Sequence, residues 1–297
     1  MKAASIDIGT NSSRLLIVDY IDSNYKIISQ KLITTRLGTG VDKNKLIKEK
    51  AIDRLLKALN KFQQEINKYQ VKKVKMIGTS ALREVKNADS LIELIYNKTG
   101  YKLEIIDGLK EAEYTYRGVS IDLPFDNFMI IDIGGGSTEF IWKEEQVNFE
   151  SLNIGAVRMT ERFISDPETE LNKLEKEQIE QFVAGKLEKR FERKKLRAVG
   201  VGGTITTSGA IDLKLDKYNR KKIHKYTLKF KVVLSLLNKL SQMNIKEREE
   251  VTGLNPERAD IIVAGISILK QIMEFFGFEE IVISEKDLLF GIIRGLI

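Results

Sequence analysis

Two short segments of this chain share one pattern: Asp7-Ile8-Gly9-Thr10-Asn11-Ser12-Ser13 and Asp132-Ile133-Gly134-Gly135-Gly136-Ser137-Thr138. Each sets an Asp at the end of an apolar run, then glycine, then small polar residues, then a second apolar run. Glycine and small hydroxyl residues let a backbone approach an anion closely, so that its N–H groups converge on phosphate oxygens. One such loop is an ordinary hairpin turn. Two copies, each headed by Asp, point to phosphate chemistry. The candidate phosphate contacts are Asn11, Ser12 and Ser13 in the first loop and Gly134, Gly135, Gly136, Ser137 and Thr138 in the second.

Asp7 and Asp132 close apolar strands, where a carboxylate is costly unless paired or metal-bound. Glu139 follows Ser137-Thr138 on the outgoing strand, so Asp132 and Glu139 should stand on opposite arms of one hairpin. They could hold Mg²⁺ through oxygen ligands and waters, with Asp7 as a third candidate ligand. Arg14 and Arg83 are candidate phosphate clamps, since guanidinium matches phosphate oxygens bidentately. Arg83 closes Thr79-Ser80-Ala81-Leu82-Arg83 after an apolar strand, a loop position where α/β proteins usually bind ligands. A third glycine-rich turn, Gly202-Gly203-Thr204, follows a strand and should open a helix whose N-terminus binds phosphate. Glu111 stands in the first turn of a predicted helix, where the helix dipole alone favours an acid.

The elements that must position these residues follow from periodicity. Strands are expected over 3–9, 14–20 and about 25–34, with a tight turn at 10–13 and another at Ser23-Asn24. A helix over 43–69, a strand over 73–78, a helix over 88–99, a strand over 102–106 and a helix over 109–119 come next. The pattern then restarts: strands over 127–133, 138–143 and 147–153, a helix over 170–193 and a strand over 196–201. Helices over 228–242, 246–250 and 256–275, a strand over 280–284 and a helix over 286–296 complete it. This is a mixed α/β layout written twice. It implies two similar domains, 1–122 and 123–297, divided near Pro124 and facing one cleft.

Composition narrows the chemistry. The chain has 297 residues, 42% hydrophobic and 31% charged, with a net charge of +7. It has no Cys, and its one His is His224. Disulfides, thiolate zinc sites and cysteine nucleophiles are excluded, and a Ser-His-Asp triad or a His-rich metal centre is not expected. A metal would be held by carboxylates, carbonyls and water, which suits Mg²⁺, Mn²⁺ or Ca²⁺. The basic excess suits a polyanionic partner, or else a Lys/Glu-rich solvated surface. Aromatic residues are not interleaved with basic ones as a stacking platform requires, so nucleic acid is not an expected partner. No leader-like segment and no long apolar stretch stand out, so the expectation is a soluble, cytoplasmic protein with no membrane partner.

Along essentially its whole length the sequence resembles the exopolyphosphatase / guanosine pentaphosphate phosphohydrolase family. The resemblance is carried by DIGTNSSRLLI at 7–17, GTSALRE at 78–84, the Glu111-Ala112 pair and RGV at 117–119. It continues in DIGGGSTEF at 132–140, NIGAVRMTERF at 153–163, GVGGTITT at 200–207, ERADIIVAGISIL at 257–269 and SEKDLLFGIIRG at 284–295. The resemblance implies an actin-like (ribonuclease H-like) duplicated α/β fold, in the short two-domain form. It implies Mg²⁺-dependent hydrolysis of a terminal phosphate of polyphosphate or of a guanosine polyphosphate, with Mn²⁺ as an alternative ion. It makes Glu111 the expected catalytic base and Asp132 and Glu139 the expected metal pair. The family usually has two Glu before the Ala and an Arg after it; here Lys110 and Glu113 occupy those places, and Asp107 replaces a common Ser. Lys110 would lower the pKa of Glu111 and Glu113 would raise it.

Two other readings stay open at this level. One is a kinase of the same superfold, since phosphate loops serve both chemistries. The other is a regulator that binds a guanosine polyphosphate without cutting it. A homodimer is an expectation without a sequence signal behind it.

Overall fold

Apolar runs bounded by glycine and small polar residues fold as strands through most of the expected positions. A computed structural model describes residues 1–297 except 22–23, 124 and 193–195. The expected turn residue Ser23, the boundary residue Pro124 and residue 193 therefore lie outside the described residues; the helix expected over 170–193 runs only from Lys173 to Glu188. The chain forms two compact units: Met1–Asp122 together with Lys286–Ile297, and Leu123–Glu285.

The first unit contains β1 (Lys2–Ile8), β2 (Ser12–Ile21), β3 (Asn24–Thr34), α1 (Val41–Asn44), α2 (Glu49–Lys68) and β4 (Lys73–Gly78). These lead into α3 (Ser80–Arg83), α4 (Ala88–Thr99), β5 (Leu103–Ile105) and α5 (Gly108–Val119). The sheet order is β3-β2-β1-β4-β5, with β1 antiparallel to β2 and parallel to β4, and β4 parallel to β5. The second unit contains β6 (Phe128–Ile133), β7 (Thr138–Lys143), β8 (Val147–Leu152), α6 (Ala156–Phe163), α7 (Lys173–Glu188) and β9 (Arg197–Val201). After these come α8 (Gly203–Asp212), α9 (Arg220–Ile223), β10 (Thr227–Lys229), α10 (Phe230–Ser241) and α11 (Ile245–Glu249). A 3₁₀ turn at Pro256–Arg258, α12 (Ile262–Phe276) and β11 (Glu280–Ile283) end that unit, and α13 (Leu288–Leu296) closes the chain. Its sheet order is β10-β11-β9-β6-β7-β8. Read from the opposite edge, this is the first sheet's order with one strand added. The duplication seen in the two loops thus extends to a whole actin-like topology.

Continuous apolar runs in β1 and β2 reflect burial on both faces of the sheet. Ala4, Ile6, Ile8, Leu15 and Ile17 pack under α2 through Leu55, Leu59, Phe62 and Ile66. Ala3, Leu16 and Val18 turn to the other face and meet Leu289, Phe290 and Ile293 of α13. This second layer corrects the expected domain limit. The last helix was placed in the second domain, but its apolar face completes the first unit. There α13 crosses α5 at close range: a Cβ on Gly118 would stand 1.9 Å from the Asp287 carbonyl oxygen, and one on Gly291 1.7 Å from that of Tyr114.

Three other expectations are corrected. The helix over 43–69 is two helices, because Lys45 takes a left-handed φ of 52° and Lys48 is extended. Residues 228–229, expected to start a helix, belong to β10, which pairs with β11. The helix expected from 256 begins at Ile262, after the 3₁₀ turn that Asn255 caps. The short α6 was not anticipated. No helix among the described residues is long and apolar enough to cross a membrane.

Candidate active site

In the first unit the predicted residues gather at the carboxyl ends of the parallel strands β1, β4 and β5. Register places Asp7 of β1 directly opposite Arg14 of β2. Arg14 donates to Asp7 Oδ2 through Nε at 2.9 Å and Nη2 at 2.7 Å, and its Nη1 donates to Asp287 at the N-cap of α13. Arg14 was expected to clamp phosphate; its fork is instead spread between two carboxylates. Asp7 is 4% exposed. Burial pushes its carboxyl above the ordinary range against the pull of Arg14, and Asp287 adds to the rise.

Arg83, at the end of α3, donates from Nη1 to Glu111 Oε2 at 2.7 Å and to the Ile106 carbonyl at 3.0 Å. Glu111 Oε1 has no hydrogen bond among the described residues. Burial pushes the Glu111 carboxyl above its usual range; Arg83 pulls it down by charge and hydrogen bond, Asp7 adds to the rise and Arg14 opposes it. The family departures around Glu111 resolve locally. Lys110 Nζ pairs with Glu113 Oε2 at 3.1 Å, so the two changed charges engage each other, and neither is among the influences on Glu111. Asp107 caps α5, accepting from the Lys110 N–H at 2.8 Å, a role Ser would also fill.

The first loop is closed by the Gly9 N–H donating to the Ser12 carbonyl at 3.1 Å. Ser12 is half-buried, and Asn11 is buried with an Nδ2 that has no partner. Ser13 does not fit its expected role: it is fully buried and its hydroxyl faces Thr35 Oγ1 at 3.3 Å. Asp7 Oδ1 is likewise buried without a partner. A buried unpaired acceptor and donor are each costly unless a ligand or water meets them.

The second unit repeats the loop. The Gly134 N–H donates to the Ser137 carbonyl at 3.0 Å, matching the first closure. Gly135 and Gly136 are held from outside by α6: the Arg158 N–H donates to the Gly135 carbonyl at 3.1 Å, and Arg158 Nε to that of Gly136 at 2.8 Å. Thr138 is a second correction, since its buried hydroxyl donates to the Ile154 carbonyl at 2.5 Å. Asp132 and Glu139 are direct cross-strand partners. Glu139, 4% exposed, accepts from Ser151 Oγ at 2.8 Å.

Gly202, the N-cap of α8, has φ 85°, and a Cβ there would stand 2.6 Å from Asp132 Oδ1. The Arg258 guanidinium covers Gly203, 2.0 Å from where a Cβ would be. Thr204 was expected to touch phosphate; its side chain packs against Gly265 of α12, leaving its contribution to the helix backbone. Asp287 and Arg258 are the residues that sequence reasoning missed. Both lie inside quoted motifs, but nothing local marks their partners.

Among the described residues no three His, Asp or Glu side chains converge. Asp7, the third expected ligand, is engaged by Arg14. The Asp132/Glu139 pair still fits magnesium, which binds through one or two carboxylates and keeps waters and substrate phosphates.

A family model described as "Ppx/GppA phosphatase family" matches residues 16–296. A bifunctional 3-dehydroquinate synthase/phosphatase of Fusobacterium nucleatum is 40% identical over 98% of this chain, which spans 46% of that protein's length. Exopolyphosphatase 2 of Mycobacterium tuberculosis is 32% identical, over 99% of this chain and 98% of its own. The crystal structure of an exopolyphosphatase from Cytophaga hutchinsonii superposes with a TM-score of 0.90 at 27% identity, covering 99% of this chain and 97% of that one.

Proposed function

This chain belongs to the Ppx/GppA phosphatase family, and on that premise we propose that it is a magnesium-dependent exopolyphosphatase that also acts on guanosine pentaphosphate. The observation that carries the reading is the state of Glu111. A half-buried carboxylate of raised proton affinity, gripped on one oxygen by Arg83 and free on the other, is suited to act as a general base. Polyphosphate is preferred as substrate because the relatives that match over nearly their full length are named exopolyphosphatases.

The step is attack of water on the terminal phosphorus. The water oxygen forms a new P–O bond while its proton passes to Glu111 Oε1. The bridging P–O bond breaks, and the shortened chain leaves with that electron pair. Asn11 Nδ2, buried without a partner in the same unit as Glu111, is suited to orient a phosphate oxygen. Asp132 and Glu139 would hold magnesium, which when bound offsets negative charge on the phosphate oxygens.

The test is phosphate release with magnesium from long polyphosphate and from guanosine pentaphosphate, run beside Glu111→Gln. Release that falls by about 10²–10⁴-fold in the variant, with substrate still bound, supports the reading. Near wild-type release by the variant removes Glu111 from its role, and binding without release favours a sensor.

A further inference from the structure

A phosphate loop meets its anion with N–H groups, so its carbonyl oxygens must be turned aside and given other donors. In the first unit those donors come from residues 35–38, between β3 and α1. The Gly38 N–H donates to the Thr10 carbonyl at 2.8 Å. The Thr35 and Arg36 N–H groups both donate to the Asn11 carbonyl, at 3.0 and 2.8 Å. The two segments touch closely, since a Cβ on Gly38 would stand 2.2 Å from Thr10 Cγ2. Two successive N–H groups converging on one oxygen is the way a backbone nest holds an anion. Here the nest holds the main chain of Asn11, the residue whose buried Nδ2 has no partner.

That convergence has a conformational cost. Arg36 takes a left-handed φ of 48°, which a residue with a side chain rarely adopts. Such a conformation persists only where its surroundings hold it, and Arg54 of α2 supplies the hold. Its Nε donates to the Thr35 carbonyl at 2.8 Å and its Nη2 to that of Arg36 at 3.2 Å. One guanidinium thus brackets Arg36 on both sides. The planar fork suits this task; a lysine is a point donor on a flexible stem. Leu37 is fully buried in the core that also contains Ala51 and Leu55, so α2 and this segment share one anchor. Arg54 itself is exposed, so its side chain is not needed to fill that core.

We propose that Arg54 is a positioning residue for the phosphate site. Through the Thr35 and Arg36 carbonyls it fixes the main chain of Asn11, and with it the place of Asn11 Nδ2. The proposal rests on the phosphatase reading, with Asn11 as a phosphate contact, and adds a residue of α2 to that site.

The test is a double-mutant cycle of Arg54→Met and Asn11→Ala. It is read as kcat and KM for phosphate release from long polyphosphate with magnesium, and Tm is measured for each protein. Lys57→Met, which takes one charge from an exposed position of the same helix, is the control. Arg54→Met should lower kcat/KM by about tenfold in the wild-type background, and by less than about twofold in the Asn11→Ala background. Arg54→Lys should recover only part of the loss. Equal losses in both backgrounds, whatever the Tm, would make Arg54 merely structural and overturn the proposal. So would full activity in Arg54→Lys, an equal loss in Lys57→Met, or unchanged kinetics in Asn11→Ala alone. Absence of phosphate release by the wild type defeats the phosphatase reading instead. The same cycle, run on equilibrium binding of tripolyphosphate, then decides the positioning role by itself.

Discussion

Arg83 Nη1 donates both to Glu111 Oε2, at 2.7 Å, and to the Ile106 carbonyl, at 3.0 Å. One nitrogen thus ties the Glu111 carboxylate to the end of the strand that precedes its helix. Arg83 is also the main influence holding the Glu111 pKa down against burial. A base works only when deprotonated, so the rate must fall as pH drops through its pKa. Replacing Arg83 with Met removes the lowering influence and moves that acid limb to higher pH. It should also cost roughly 10²-fold in kcat/KM at neutral pH, through loss of orientation. A pH profile of kcat/KM for both proteins checks this, and an unmoved acid limb would show that Arg83 does not act through Glu111.

Glu111 makes a second prediction, about stability. Its pKa is raised in the folded protein, so the folded state holds the proton more tightly than the unfolded one. Its contribution to stability is therefore full below the ordinary Glu pKa and is lost as pH rises through the raised value. Glu111→Gln lacks this dependence. Measured by thermal unfolding from about pH 4 to pH 8, the variant should gain on the wild type as pH rises. A constant difference across that range would mean that the carboxyl is not strained by burial.

The sequence carried the local half of this architecture and missed the long-range half. The loops were legible because their glycines and hydroxyl residues recur with the same spacing, and Gly9 and Gly134 close them with the same hydrogen bond. The pairing of Asp132 with Glu139 was legible because hairpin register follows from loop length. Ser13 and Thr138 were misread because alternation along a strand decides which hydroxyls turn inward, and the loop pattern does not carry that phase. Arg14 was misread because its second partner, Asp287, is 273 positions away in sequence. Its approach depends on α13 returning to the first unit and packing through Gly118 and Gly291.

Asp287 has two jobs that substitution can separate. Its Oδ1 accepts from the Leu289 N–H at 3.0 Å, capping α13, while Oδ2 accepts from Arg14. Asp287→Ala loses both, and should cost about 1 kcal/mol from the cap alone, seen as a lowered Tm. Asp287→Asn keeps a cap but removes the charge beside Arg14 and Asp7. It should hold a Tm near wild type while kcat/KM falls, because the Asp7–Arg14 pair loses its third member. Equal Tm values for the two variants would show that the cap contributes nothing; wild-type kinetics in Asp287→Asn would show that the charge does not matter.

The carboxylate pair of the second unit gives the last prediction. If Asp132 and Glu139 hold magnesium, chelation should abolish phosphate release and added magnesium should restore it. Asp132→Asn or Glu139→Gln should raise the magnesium concentration giving half-maximal activity far more than it changes KM at saturating metal. Ser151 donates to Glu139 Oε1 at 2.8 Å and so orients that carboxylate. Loss of an orienting group costs roughly 10–100-fold in metal affinity, so Ser151→Ala should shift the magnesium requirement in the same direction but less. A titration in which Ser151→Ala behaves like wild type while Glu139→Gln does not would confine the requirement to the carboxylate. One in which Glu139→Gln also keeps the wild-type requirement would move the metal away from this hairpin, in which Asp132 and Glu139 are the cross-strand acid pair.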